Sequence, residues 1–185
     1  MILVGIGHEH RAGKDTVAQF LVENFGFTRV AFADALYEEC RNLLIAVVPR
    51  EKRLGHFDRP YMLEAPDCDG DAGKGFAYMG MTEKDPLLLQ WWGTNVRRSQ
   101  NPDYWIDRVA SKLSTLPSAT RVVLPDTRFP NEAEFIRARG GLLWKVARPN
   151  RPIDRPVDHP SETALQDYSW DEVIQNDGTL DDLQI

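Results

Sequence analysis

An apolar run, a glycine-flanked turn and an amphipathic helical pattern follow one another within residues 1–25, MILVGIGHEHRAGKDTVAQFLVENF. No other stretch constrains the chain as much. Ile2, Leu3, Val4 and Ile6 predict a strand buried on both faces and ended by Gly5 and Gly7. Gly13, Lys14, Asp15 and Thr16 then open a helix whose apolar positions, Val17, Phe20, Leu21 and Phe25, recur at helical spacing. Such a turn aims several backbone N–H groups and the positive end of a helix dipole at one point, where an anion with several oxygens can bind. Lys14 adds a mobile cation. The pattern predicts an α/β protein whose phosphate loop is built from Arg11, Ala12, Gly13, Lys14, Asp15 and Thr16.

The loop departs twice from the standard Walker A spacing. His8 stands where Gly is usual, with Gly7 one place earlier, and Asp15 stands where a Ser or Thr hydroxyl would meet magnesium, with Thr16 behind it. A carboxylate is at least as good a magnesium ligand as a hydroxyl, so Asp15 alters the metal's shell without abolishing it. A glycine-rich turn that binds nothing is the plain alternative. The order of strand, loop, lysine and helix favours phosphate.

At 185 residues the chain is long enough for one domain with a full core and an insertion. A net charge of −6 argues against a large basic surface for nucleic acid. Cys40 and Cys68 are the only cysteines and nothing forces them to pair. With no signal peptide or long apolar run, a reducing cytoplasm and no membrane are expected.

Farther along, residues 27–33 read as a short strand and 35–47 as a helix with Asp34 at its N-cap. Asp34 has two open roles, the cap itself and a functional carboxylate at a strand's carboxyl end. Residues 49–82, rich in Gly and Pro with unperiodic aromatics, read as an irregular insertion. Two decoys lie in it. Asp67-Cys68-Asp69-Gly70-Asp71 begins like a calcium loop but has Ala72 and Tyr78 where Gly and Glu are needed. Gly70 to Gly75 echoes the phosphate loop without a strand before it or a helix after it, and reads as a solvated turn.

Helical spacing resumes over 83–98, interrupted by Gly93-Thr94, and again over 103–116. Trp91, Trp92 and Trp105 are core by default, the alternative being that one borders a pocket and lies against a nucleobase. Residues 121–124 predict a strand running into Asp126, the arrangement in which a Walker B carboxylate holds magnesium. Asp126 and Arg128 are two apart, so both can point the same way, and Pro130 starts a helix over 131–139 with Glu132 in its first turn. A surface ion pair among Asp126, Arg128 and Glu132 is the bland alternative; the strand's carboxyl end favours an active site. A strand over 142–147 follows, then a segment in which Arg148, Arg151 and Arg155 are punctuated by prolines. It is either a solvated linker or a flap that brings positive charge over phosphates. Ser161 caps a short helix in this reading, and 170–175 forms the last strand. Phosphoryl transfer needs no histidine base, so His8, His10, His56 and His159 are structural or peripheral.

The phosphate loop, Phe32-Ala33-Asp34, Leu89-Gln90 with Gly93-Thr94 and Trp105, Asp126-Thr127-Arg128-Phe129-Pro130-Asn131-Glu132, Gly140-Gly141, Arg148-Pro149, His159-Pro160-Ser161-Glu162 and Asn176-Asp177-Gly178-Thr179 run in order along nearly the whole chain. In this, the chain resembles the bacteriophage-type deoxynucleoside monophosphate kinases, which are P-loop enzymes of the nucleoside monophosphate kinase fold. The resemblance implies an α/β P-loop kinase, a parallel sheet flanked by helices, with an irregular or helical insertion and an Arg-rich lid. It implies one domain, 1–185, with an insertion and acceptor-side region at 49–105 and the lid at 147–160.

By the same likeness, ATP is the donor, a deoxynucleoside 5′-monophosphate the acceptor, and Mg²⁺ the metal, held by Asp15 and Asp126. Lys14, Arg128, Arg148, Arg151 and Arg155 take catalytic positions. Asp34, Gln90, Gly93, Thr94, Trp105, Asp126, Arg128 and Glu132 take acceptor-binding ones. No stable nucleic-acid partner is implied, a homodimer fits, and the compartment is the infected host's cytoplasm if a phage encodes the chain. Two other classes stay open: a P-loop kinase acting on a modified base in phage DNA or another small acceptor, and a nucleotide-binding protein that does not catalyse.

Overall fold

A computed structural model of the chain describes residues 1–7, 10–47, 61–65, 74–77, 81–149 and 160–178. Arg151, Arg155, His8, His56, His159, Cys68 and most of the two decoy turns lie outside the described residues. In order, the elements are β1 (Ile2–Gly7), α1 (Lys14–Phe25), β2 (Thr28–Arg29), α2 (Phe32–Val47), β3 (Tyr61–Glu64), β4 (Lys74–Ala77), α3 (Pro86–Gln90), a π-helix (Trp91–Arg98), α4 (Tyr104–Ser114), β5 (Arg121–Thr127), α5 (Pro130–Arg137), β6 (Leu142–Ala147), α6 (Pro160–Thr163) and β7 (Glu172–Gln175). They divide into two compact units, Met1–Phe32 with Val109–Ile185, and Ala33–Arg108. Among the described residues no helix is long and apolar enough to cross a membrane.

The first unit is built on a five-stranded sheet of order β2-β5-β1-β6-β7, every neighbouring pair parallel. Leu3, Val4 and Ile6 are buried, as an apolar strand with a partner on each side must be. Helix α1 lays Val17, Ala18 and Leu21 against Val4, Ile6, Val123 and Val146, which form one apolar cluster. Gly7 cannot carry a side chain here, since a Cβ would come within 2.5 Å of the Trp170 ring and 2.8 Å of the Thr127 carbonyl.

Several boundaries differ from those the sequence predicts, each for a physical reason. The strand expected over 27–33 is only Thr28–Arg29, and α2 begins at Phe32. The Phe32 N–H donates to Asp126 Oδ1 at 3.0 Å, so a carboxylate 94 positions away satisfies the start of the helix. Asp34 is therefore in the first turn and is not the N-cap. Strand β5 runs on through Pro125 to Thr127. Pairing with β1 shifts register between Gly5↔Leu124 and Gly7↔Thr127, and this irregularity accommodates a residue that cannot donate to the ladder. Helix α5 stops at Arg137, two residues short of expectation, and Ser161 lies inside α6 instead of capping it. The last strand begins at Glu172.

In the second unit the 49–82 segment is not wholly irregular, because β3 and β4 form an antiparallel hairpin pairing Leu63 with Gly75. Gly75 suits the place: a Cβ there would lie 2.8 Å from the Trp91 ring. Helix α3 starts later than the periodicity suggests, where Asp85 Oδ1 accepts the amides of Leu87 at 2.9 Å and Leu88 at 3.3 Å. From Trp91 the helix winds as a π-helix.

Cys40 on α2 is fully buried. Burial, with the charges of Glu39 and Glu83 adding to it, pushes its thiol up to about 12. Since the thiolate is the nucleophile, Cys40 is expected to stay unlabelled by iodoacetamide at pH 8 until the protein is unfolded. Peptide mapping of the native protein that finds Cys40 alkylated within minutes would contradict this.

Candidate active site

In the first unit, β1 is the strand at which the sheet order reverses, with β5 on one side and β6 on the other. Ligands of open parallel sheets bind at the carboxyl ends of the strands at such a switch point. The loop leaving β1 enters α1 through Gly13, whose φ of 103° is a conformation L side chains rarely adopt. Arg11 also has positive φ, 55°, which costs a non-glycine residue about 1–2 kcal/mol. Strain of this kind at a loop tip is characteristic of ligand-holding backbone. Gly13 provides no side-chain cap, so the first amides of α1 are left to other acceptors. Lys14 is buried, 7 % exposed, while Asp15 and Thr16 are exposed.

The loop is braced from the far end of the chain. Asn176, just after β7, donates its side-chain amide to the Ala12 carbonyl at 2.7 Å, while its backbone N–H donates to Ala147 O at 2.8 Å. In the sequence Asn176 enters only within the Asn176-Asp177-Gly178-Thr179 stretch that carries the resemblance, without a role of its own.

The end of β5 supplies the neighbouring groups, Gly7 and Thr127 being paired across the two strands. Asp126 holds the Phe32 amide through Oδ1, and Thr127 is fully buried. Arg128 lies half-buried, its Nη1 3.4 Å from the Ser161 carbonyl. Glu132, 2 % exposed, accepts the backbone amides of Arg128 at 2.7 Å and Phe129 at 3.1 Å on a single oxygen. Its carboxylate thus reaches back over the start of α5, as a third-position Glu does in a capping box. Arg148, one residue beyond β6, is exposed.

In the second unit, Gly93 and Trp105 meet: the indole Nε1 donates to the Gly93 carbonyl at 3.1 Å, and Trp105 is 2 % exposed. Trp92 is equally buried, in keeping with the default reading of both rings as core. Gln90 and Thr94 are half-buried.

A dense polar cluster of this unit centres on a residue that sequence patterning does not single out. Glu39 Oε2 accepts from Trp92 Nε1 and Arg97 Nε, each at 2.8 Å. Its Oε1 accepts from the Tyr104 hydroxyl at 2.6 Å and Arg108 Nη2 at 3.1 Å. Burial alone would raise the Glu39 pKa, but these four donors outweigh it and hold the carboxyl below its ordinary value. A carboxylate whose folded pKa is lowered contributes its full stability above the unfolded value, about 4.3, and loses it as pH falls through the folded one. The Tm gap between wild type and Glu39→Gln is therefore expected to be widest near neutral pH and to narrow below about pH 4.3. A gap independent of pH between 3 and 7 would contradict the charged hub.

The model of the family described as "Deoxynucleotide monophosphate kinase" matches residues 87–185, more than half of the chain. The chain belongs to the deoxynucleotide monophosphate kinase family. A protein of Acanthamoeba polyphaga mimivirus, provisionally named a deoxynucleotide monophosphate kinase, is 30 % identical over 200 residues, spanning 98 % of this chain and 92 % of its own. That match includes the phosphate loop, which lies before residue 87. A looser likeness is to the crystal structure of TT1252 from Thermus thermophilus, with a TM-score of 0.48 and 18 % identity over 99 % of this chain and 92 % of that one. The protein is thus a kinase of nucleotide metabolism, with a viral relative.

Proposed function

We propose that this kinase transfers the γ-phosphoryl group of ATP to the 5′-phosphate of a deoxynucleoside monophosphate, giving the deoxynucleoside diphosphate and ADP. The observation that carries the reading is the start of α1 without a side-chain cap, with buried Lys14 behind strained Arg11 and left-handed Gly13, following β1, whose partner β5 carries Asp126 near its end. An anion with several oxygens suits that arrangement, and family membership supplies the acceptor class.

In the reaction an oxygen of the acceptor's phosphate forms a bond to Pγ as the bond from Pγ to the β,γ-bridging oxygen breaks, and ADP carries away that electron pair. The attacking phosphate is already anionic, so no general base is needed. Catalysis is then positioning and charge neutralisation. Residues 11–16 hold the donor's phosphates through backbone amides, and Lys14 Nζ neutralises charge building on the β,γ-bridge. Arg128, with Arg148, Arg151 and Arg155, draws the two phosphates together and offsets their mutual repulsion. Asp34, Gln90, Gly93, Thr94, Trp105, Asp126 and Glu132 serve the acceptor, Trp105 by holding Gly93 and Glu132 by fixing the backbone at Arg128.

Among the described residues no group of three or more His, Cys, Asp or Glu gathers as a metal cage. Mg²⁺ in kinases does not need one, since it takes one or two carboxylates and completes its shell with phosphate oxygens and water. Asp15 and Asp126 fit that role, and the ion would supply charge neutralisation across the donor's β- and γ-phosphates. Phosphorus NMR of a mixture with ATP and a deoxynucleoside monophosphate tests the chemistry. Equal growth of ADP and a deoxynucleoside diphosphate, halted by EDTA, is expected; release of inorganic phosphate in place of a diphosphate would overturn it.

A further inference from the structure

The Glu39 cluster holds more positive charge than a structural tie requires. Two guanidinium groups, Arg97 and Arg108, share one carboxylate, leaving the cluster net positive. Arg97 is also oriented with unusual completeness. Its Nε–H is spent on Glu39, and its planar group lies 4.6 Å from the Trp92 ring centroid and 4.8 Å from that of Tyr104. What remains is the edge carrying Nη1 and Nη2, which has no hydrogen-bond partner among the described residues. Arg97 is 20 % exposed and Arg108 53 %.

The π-helix produces this orientation. In an α-helix, at about 100° per residue, side chains five apart point about 140° away from each other. Hydrogen bonding from i to i+5 stacks them instead, so Trp92 and Arg97 reach the same carboxylate oxygen. A lysine could neutralise Glu39, and the tryptophan and tyrosine could tie it in place. None of these requires a fork-shaped cation with its outer edge left over.

We propose that Arg97, held by Glu39, binds the 5′-phosphate of the acceptor, with Arg108 as a second and more mobile cation. The assignment rests on the phosphoryl-transfer reading above. A phosphate presents two oxygens at the spacing of the Nη1–Nη2 edge, and a guanidinium held against two rings and at Nε loses little freedom in meeting them. Glu39 is the positioning residue: it touches no substrate and acts through Arg97.

The test compares calorimetric binding of each deoxynucleoside monophosphate with that of its deoxynucleoside, in wild type and in Arg97→Met. Wild type is expected to prefer the monophosphate, and Arg97→Met to reduce that preference at least about tenfold, the scale of a lost charge-assisted pair, with deoxynucleoside affinity little changed and a cooperative melt retained at a lower Tm. KM for the monophosphate rises correspondingly, while KM for ATP stays within about twofold. Glu39→Gln is expected to shift the monophosphate KM in the same direction by less. Equal loss for monophosphate and deoxynucleoside, or an unaltered preference, would overturn the assignment.

Wild type gives a second measurement that does not depend on any variant folding. Modification of Arg97 by phenylglyoxal, read by mass spectrometry, should be slowed by the monophosphate and not by the deoxynucleoside. Equal protection by the two, or none, would overturn the assignment as well. Wild type that makes no ADP with any deoxynucleoside monophosphate contradicts the phosphoryl-transfer reading itself. Turnover with an unaltered Arg97→Met preference contradicts only Arg97.

Discussion

Lys14→Ala is expected to lower kcat at least about a hundredfold while the protein keeps a cooperative melt. The magnitude is that of removing one preorganised charge from a site where negative charge is redistributed. Lys14 is buried at the start of α1, and its position beside strained loop backbone leaves a replacement cation no ready route to the same point. The loss should fall on kcat more than on KM for ATP, because the backbone amides of the loop remain to hold ground-state phosphate. Steady-state kinetics at saturating ATP, with circular dichroism as the check on folding, reads both. A folded variant with near wild-type turnover would refute the role.

Arg128→Ala is expected to cost kcat at least about two orders of magnitude as well, with a smaller effect on stability. An arginine that stabilises a transferring phosphoryl group is worth about 10³–10⁵ in rate in related chemistry, so a hundredfold is a floor. The backbone contact survives the substitution, since the Arg128 N–H donates to Glu132 at 2.7 Å, so the variant is expected to keep a cooperative melt. Glu132→Ala is the contrasting case, for it leaves two amides at the start of α5 without their shared acceptor. Single-turnover rates for Arg128→Ala within a fewfold of wild type would refute the assignment.

The parts of this fold that are legible in sequence are those specified locally. An apolar run, a glycine, a lysine and a 3.6-residue period suffice for β1, the loop and α1, and an apolar run before Asp126 suffices for most of β5. What is not legible is specified from a distance. The start of α2 is misplaced by local pattern because its amide acceptor is Asp126, and no spacing rule links residues 32 and 126. The π-helix is hidden because hydrophobic periodicity over eight residues does not distinguish it from an α-helix. Glu39 is hidden for the same reason as the cap: its four donors come from residues 92, 97, 104 and 108, and no spacing rule links these to residue 39. The short hairpin escaped because four-residue strands containing Gly75 show no alternation.

The central claim is that the loop after β1 directs a phosphoryl group onto a deoxynucleoside monophosphate. The most direct measurement is ADP release from Mg-ATP with dAMP, dGMP, dCMP and dTMP and their ribose counterparts, with Lys14→Ala as the blank. Release that requires a deoxynucleotide acceptor and falls at least about a hundredfold in the blank is the predicted result. ATP binding with no acceptor-dependent ADP across the whole panel would contradict it.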